Sequence, residues 1–282
     1  MMTVRDIIAV RDAVAAWRDA GETVALVPTM GNLHRGHLHL VAVAAEHADR
    51  IVVSVYVNPT QFGPAEDLEA YPRTLDADLA RLRDTAADLL FAPEDAQMYP
   101  FGADAATMVR VPGLAQILCG ASRPGHFDGV TGVVCRLLNI VQPDVAVFGQ
   151  KDFQQLLLIR RMVEDLHLPV QIVAAATQRD EDGLALSSRN QYLADAQRAQ
   201  APALFRTLKE CAAQLRGGRR DFDVLQHEGL DRLRAAGLKP DYFEIRRAAD
   251  LREPVPDDRS LVVLAAAFCG RARLIDNFPV EL

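Results

Sequence analysis

Lysine is nearly missing from this chain. Of its 31 basic residues only Lys151, Lys209 and Lys239 are lysine, and the other 28 are arginine. Against that bias, a lysine inside a polar motif stands out. Cysteine is sparse as well: Cys119, Cys135, Cys211 and Cys269 form no CxxC pair. That excludes both a cysteine zinc site and a disulfide framework, and fits a reducing cytoplasm. Positive charge is not in excess, since 38 acidic residues leave a formal net charge of −7. A nucleic-acid-coating surface needs a basic stripe and is excluded, whereas a local basic pocket for one small anion is not. Long apolar runs are also lacking: the longest, from Leu261 to Phe268, falls far short of the roughly 20 residues that span a bilayer. The first residues are charged at positions 5, 6, 11 and 12, so no signal-peptide core is expected. The expectation is a soluble, cytoplasmic protein with no membrane or nucleic-acid partner.

What is present is an ordinary globular composition, with 282 residues, 50% hydrophobic and 24% charged. At roughly 150 residues per domain, two domains are expected. Thr3 reads as the cap of a helix running to Asp19, followed by an apolar strand at 23–28. Helices at 37–48, 75–86, 126–141 and 152–166 then alternate with apolar strands at 50–57, 88–93, 144–149 and 169–175. That alternation indicates an α/β, doubly wound parallel sheet over residues 1–178. The remainder, 179–282, reads as a smaller α+β domain: helices at 195–215 and 221–236, then strands at 242–247, 260–268 and 272–277. Neither an internal repeat nor a low-complexity segment is visible.

Two segments at the junction of strand and helix carry the strongest chemical signal. In PTMGNLHRGH (28–37), Gly31 and Gly36 let a ligand approach the backbone, and the next helix offers free N–H groups to an anion. His34 and His37, three residues apart, can donate to phosphate oxygens. A metal site of His34, His37 and His39 lacks a cysteine or carboxylate to complete it. In FGQKDFQQ (148–155), Gly149 permits close approach, Lys151 offers a flexible point charge, and Asp152 suits ribose hydroxyls. Gln154 and Gln155 add neutral polar groups. The loop GLALSSRN (183–190) joins two hydroxyls to Arg189, a set able to grip a polyphosphate or simply to cap a helix. In the polar loop 57–74, Asn58 and Gln61 offer uncharged hydrogen bonds to a small polyol or acid. Arg123 and His126, in ASRPGHFDG (121–129), read equally as anion contacts or as helix caps.

Taken together, VPTMGNLHRGH, VNPTQF, YPRT, SRPGHFDGV, FGQKDFQQ, DGLALSSRN and the closing ARLIDN resemble, in order and spacing, the pantoate–β-alanine ligase family. The resemblance covers nearly the whole chain. It implies a Rossmann-like fold of the HxGH nucleotidyltransferase superfamily, similar to class I aminoacyl-tRNA synthetases, with a smaller C-terminal lid domain. It further implies a cytoplasmic homodimer that uses Mg–ATP, pantoate and β-alanine, and proceeds through an acyl-adenylate with release of pyrophosphate and then AMP. By resemblance, Met30, Gly31, Asn32, Leu33, His34, Arg35, Gly36 and His37 wall the ATP site. Gly149, Gln150, Lys151 and Asp152 meet ribose and phosphates, and Gln178 lies at the adenine. Leu186, Ser187, Ser188 and Arg189 cover the polyphosphate, while Gln61 and Gln155 hold pantoate and Gln61 also borders the β-alanine entry. His34, His37, Lys151 and Arg189 would carry the catalytic charge stabilisation, and no protein ligand to magnesium is implied. Gly132, Arg136, Gln150 and Gln178 depart from the family's commoner Thr, Lys, Glu and an apolar residue. A nucleotidyltransferase that keeps AMP on its product, and a non-catalytic nucleotide-binding module, are the rival expectations.

Overall fold

The computed structural model describes residues 1–63, 68–69 and 71–282, so positions 64–67 and 70 of the polar loop 57–74 lie outside the described residues. The chain forms two compact units, Met1–Gln150 with Gln155–Ala176, and Lys151–Gln154 with Thr177–Leu282.

The first unit is a parallel sheet of β1 (Met2–Val4), β2 (Val24–Thr29), β3 (Arg50–Val55), β4 (Leu89–Phe91), β5 (Val145–Gly149) and β6 (Gln171–Ala175). Their spatial order is β1-β4-β3-β2-β5-β6, and every pairing is parallel. The crossovers carry α1 (Ile7–Asp19), α2 (Arg35–Ala45), α3 (Leu75–Leu82), the short α4 (Asp95–Met98) and α5 (Cys119–Ser122), α6 (His126–Val141) and α7 (Phe153–Asp165). Val24 to Val27 and Ile51 to Val53 are all buried, which is why both strands read as unbroken apolar runs rather than alternating ones. From β2 the chain steps outward through β3 and β4, then crosses to the other side of β2 to lay down β5. The winding reverses between β2 and β5, so their carboxyl ends, Thr29 and Gly149, mark the crevice where such sheets hold ligands.

The expected cap at Thr3 is overturned. Residues 2–4 form β1, paired with Leu89–Phe91, and Asp6 caps α1 by accepting from the Ala9 N–H at 2.8 Å. A three-residue edge strand has too little pattern to announce itself, and its partner lies 87 positions away in sequence.

The second unit contains α8 (Asp195–Gln200), α9 (Ala203–Arg216) and α10 (Phe222–Ala235), then an antiparallel sheet of β7 (Lys239–Arg247), β8 (Ser260–Cys269) and β9 (Ala272–Glu281) in that order. The single helix expected at 195–215 is two. Pro202 has no N–H for the carbonyl one turn back, so α8 stops and α9 starts afresh. Leu204, Leu208, Leu215, Leu225 and Leu233 from the helices pack with Phe243, Ile245, Leu261, Val263 and Ala265 from the sheet. The apolar run from Leu261 is accordingly the central strand β8.

Candidate active site

The turn leaving β2 is held by a carboxylate from elsewhere. Gly31 and Asn32 both take positive φ, +79° and +50°. Such a conformation is uncommon for any residue but glycine, although asparagine tolerates it better than most. Asp78 on α3, 1% exposed, pins it: its carboxylate accepts the Asn32 N–H at 2.9 Å and the Leu33 N–H at 2.7 Å. Thr74 Oγ1 donates to the same group at 3.2 Å. A Cβ at position 31 would lie 2.9 Å from Asp78 Oδ2 and 3.0 Å from Val55, so the glycine is required for space as well as for backbone angle. Leu33 puts its side chain fully into the core and contributes only backbone to the turn. Arg35 is exposed on the first turn of α2.

The two histidines cap α2 in place of the usual hydroxyl and carboxylate. His34 Nδ1 accepts the Gly36 N–H at 3.1 Å, and His37 Nδ1 accepts the His34 N–H at 3.3 Å. Their rings stack with centroids 4.0 Å apart. With Nδ1 accepting, a neutral ring carries its proton on Nε2, so each histidine presents an N–H donor away from the helix backbone. Gly149, at the end of β5, faces α2, and a Cβ there would sit 3.9 Å from Leu40.

Gln61 sits beside this turn. Its Nε2 approaches Met30 Sδ at 2.8 Å, and its Oε1 accepts from Asn58 Nδ2 at 3.1 Å. Asn58, 1% exposed, is saturated by protein: it also donates to Gly129 O and accepts from Tyr99 OH at 2.6 Å and from Thr60 Oγ1 at 3.0 Å. It is a scaffold for Gln61. His126 plays a similar part. Arg123 Nη1 lies 2.8 Å from His126 Nε2, and an arginine can only donate, so the ring proton is on Nδ1 and goes to Gln61 O at 2.8 Å. Gln155, half-buried, lies in the first turn of α7.

Gln150 closes the first unit, while Lys151, Asp152, Gln178 and residues 186–189 belong to the second. Lys151 and Asp152 lie on a 3₁₀ turn, Gln150–Asp152, with Lys151 Nζ 3.8 Å from Asp152 Oδ1. The carbonyl of Lys151 accepts from Asn277 Nδ2 at 2.9 Å. Gln178 is joined to the serine loop through backbone, since its carbonyl accepts the Leu186 N–H at 2.9 Å. Ser187 Oγ accepts the Arg189 N–H at 3.3 Å, and Asn190 Nδ2 closes the loop onto Ala185 O at 3.0 Å. Arg179 grips Asp276 with two nitrogens, at 2.5 and 2.9 Å, and its guanidinium lies 3.6 Å over the Phe205 ring. Burial pushes the Asp276 carboxyl up, while Arg179 and Lys151 pull it back toward ionisation. Among the described residues no three His, Cys, Asp or Glu side chains gather to hold a metal.

A sequence profile of the family described as pantoate-beta-alanine ligase matches residues 2–279. The pantothenate synthetase of Shewanella loihica is 57% identical over 281 residues, all of this chain and 99% of that protein. The chain belongs to the pantoate–β-alanine ligase family. As a member it is an enzyme, a ligase that forms a C–N bond. The Pseudomonas aeruginosa pantothenate synthetase is 56% identical over the full length of both chains. The crystal structure of the Thermus thermophilus pantothenate synthetase superposes with a TM-score of 0.93 at 45% identity, each chain wholly covered. A Francisella tularensis ligase of this family, solved with beta-gamma ATP and β-alanine, superposes at 0.80 with 32% identity over 99% of this chain and 97% of that one.

Several residues that build this ligase's candidate site escaped sequence reasoning. Asp78, Tyr99, Asp276 and Asn277 are buried polar groups whose partners lie far off in sequence, and of these only the last two fell in a motif, ARLIDN. Two departures from the family's commoner residues prove to be neighbours. Arg136 donates to Gly132 O at 2.9 Å and to Thr107 O at 2.8 Å, and stacks on Tyr99 at 4.7 Å. A Cβ at 132 would come within 3.3 Å of Arg136 Nη1, so the small glycine leaves room for the larger cation.

Proposed function

We propose that the chain condenses (R)-pantoate with β-alanine to give pantothenate, through a pantoyl-adenylate formed from ATP. In the first step a pantoate carboxylate oxygen attacks the α-phosphorus, and the bond to pyrophosphate breaks. In the second the β-alanine amine attacks the acyl carbon, the bond to the AMP oxygen breaks, and the amine releases a proton. The observation that carries this reading is the stacked pair His34 and His37, which caps the start of α2 beside the crevice where the sheet reverses. Charge develops on the phosphates in both steps, and donors fixed in advance stabilise it without rearrangement.

No step needs a protein nucleophile. His34, His37, Lys151 and Arg189 would meet the phosphates. Residues 30–37 and 149–152, with Gln178 and 186–189, would line the nucleotide, and Gln61 and Gln155 would hold pantoate. The described residues offer no protein cage for magnesium, which would enter on the phosphates it neutralises. We place the enzyme in the cytoplasm as a homodimer, as the family resemblance implies.

The test follows pyrophosphate and AMP from Mg–ATP and pantoate, with and without β-alanine. A stoichiometric burst of pyrophosphate without amine, then catalytic AMP on its addition, is expected. Pyrophosphate turnover without AMP would instead mean a nucleotidyltransferase. His37→Ala and Lys151→Ala should each lower turnover by about 10²–10³-fold, the typical loss for one donor to developing charge. Lys151→Ala should barely move the melting temperature, whereas His37→Ala also removes a helix cap and should lower it by a few degrees.

A further inference from the structure

The two polyphosphate segments of the second unit hang from neighbouring residues of one buried strand. Asn277 on β9, 3% exposed, gives its side-chain amide to the Lys151 carbonyl at 2.9 Å. Asp276, 4% exposed, takes the guanidinium of Arg179, which also donates to Gly183 O at 3.1 Å. Gly183 has φ +94°, and a Cβ there would strike Phe205 at 2.7 Å, so the turn that leads into the 186–189 loop is fixed at its start. Asp276 further accepts the main-chain Asn277 N–H at 2.8 Å, which holds its carboxylate along the strand. Consecutive residues of a strand face opposite ways. One strand therefore anchors the lysine turn on one face and the serine-loop hairpin on the other.

We propose that Asn277 is a positioning residue for Lys151: its amide fixes the lysine's main chain, and with it the origin of the ammonium arm. A lysine side chain has four rotatable bonds, so its reach is useful only if its backbone is held. Asn277 touches no substrate in this scheme, and its effect passes wholly through Lys151. The proposal rests on the reading of Lys151 as a phosphate contact.

The experiment measures pyrophosphate release by the full chain carrying Asn277→Asp, Asn277→Ser, Lys151→Ala and the two double substitutions. Asn277→Asp keeps the shape but points an acceptor at an acceptor. Asn277→Ser is neutral and guards against misfolding caused by a buried charge. Displacement of a reacting contact by about 1 Å can cost up to about 10²-fold in rate, and a loss of that order in kcat is expected, with the pantoate KM unchanged. In the Lys151→Ala background the same substitutions should cost nothing more, because the group they position is gone. A further, multiplying loss in that background overturns the positioning role and leaves the Lys151 reading intact. Full activity of Lys151→Ala overturns both. Near-wild-type kcat in folded Asn277→Ser overturns the positioning role alone.

Discussion

Replacing Asp78 by asparagine changes one atom's chemistry at almost constant volume. Its carboxylate now satisfies the Asn32 and Leu33 amides and the Thr74 hydroxyl, in a place 1% exposed. An asparagine can turn its oxygen toward Asn32 and Thr74, but its NH₂ then faces the Leu33 N–H, donor against donor. An orphaned buried amide costs about 1–3 kcal/mol, and the surviving bonds lose their charge assistance, which roughly doubles such a bond. A total of about 2–4 kcal/mol follows. At ~2–4 °C per kcal/mol, the melting temperature should fall by roughly 4–16 °C. The turn it releases carries His34 and His37, so the folded fraction should also lose kcat, by up to about 10²-fold for a shift near 1 Å. Thermal melting followed by circular dichroism, with pyrophosphate release at a temperature where the variant is folded, reads both effects. If Asp78→Asn melts within about 1 °C of the parent and turns over equally fast, the carboxylate does not hold this turn; on the energies above that result is excluded.

Gly129 passes so close to the Gln61 turn that an added Cβ would lie 2.3 Å from Thr60 O and 2.6 Å from Gln61 Cα. Gly129→Ala should therefore raise the pantoate KM by about tenfold or more while the ATP KM stays near the parent value, since overpacking of about 1–3 kcal/mol falls on that turn; equal shifts in both would reassign Gln61. Burial pushes the Cys211 thiol up to about 12. The folded state then keeps a proton that the unfolded thiol loses nearer its ordinary ~8.5, so this group's stabilisation is intact below that pH and erodes as the pH climbs through the alkaline range. Native labelling at pH 8 should spare Cys211 and reach the half-buried Cys135 first, as peptide mapping would show; equal labelling would contradict the burial.

Much of the first unit was legible because burial on both faces leaves a signature in sequence. TVALVP and RIVVSVYV could hardly be anything but central strands. The glycine turn and paired histidines at 31–37 were legible for a similar reason: a strand end, two glycines and a helix start fall in one short stretch. What the sequence hid is what holds those parts still. Asp78 in LDADLARL is indistinguishable from a solvated helix face until the Asn32 and Leu33 amides, 45 or so positions away, are brought to it. Asn58 looked like a ligand contact because a side chain's polarity does not say whether protein or substrate will satisfy it. Asp6 was passed over for Thr3 since both residue types cap helices, and only the pairing of β1 with β4 decides between them.

The bond between Asn277 and Lys151 also orders events in time. The two residues stand 126 positions apart. On a ribosome adding ~5–20 residues per second, roughly 6–25 s separate the synthesis of the lysine from that of its anchor. During that interval Gln171–Ala175 emerges and can finish the parallel sheet as β6, while the Lys151 turn waits for a strand not yet made. A nascent chain halted before position 277 would thus possess the histidine turn, yet carry a Lys151 main chain without its Asn277 anchor. The lysine turn therefore takes its final form only once β9 is in place, after the parallel sheet can already have closed.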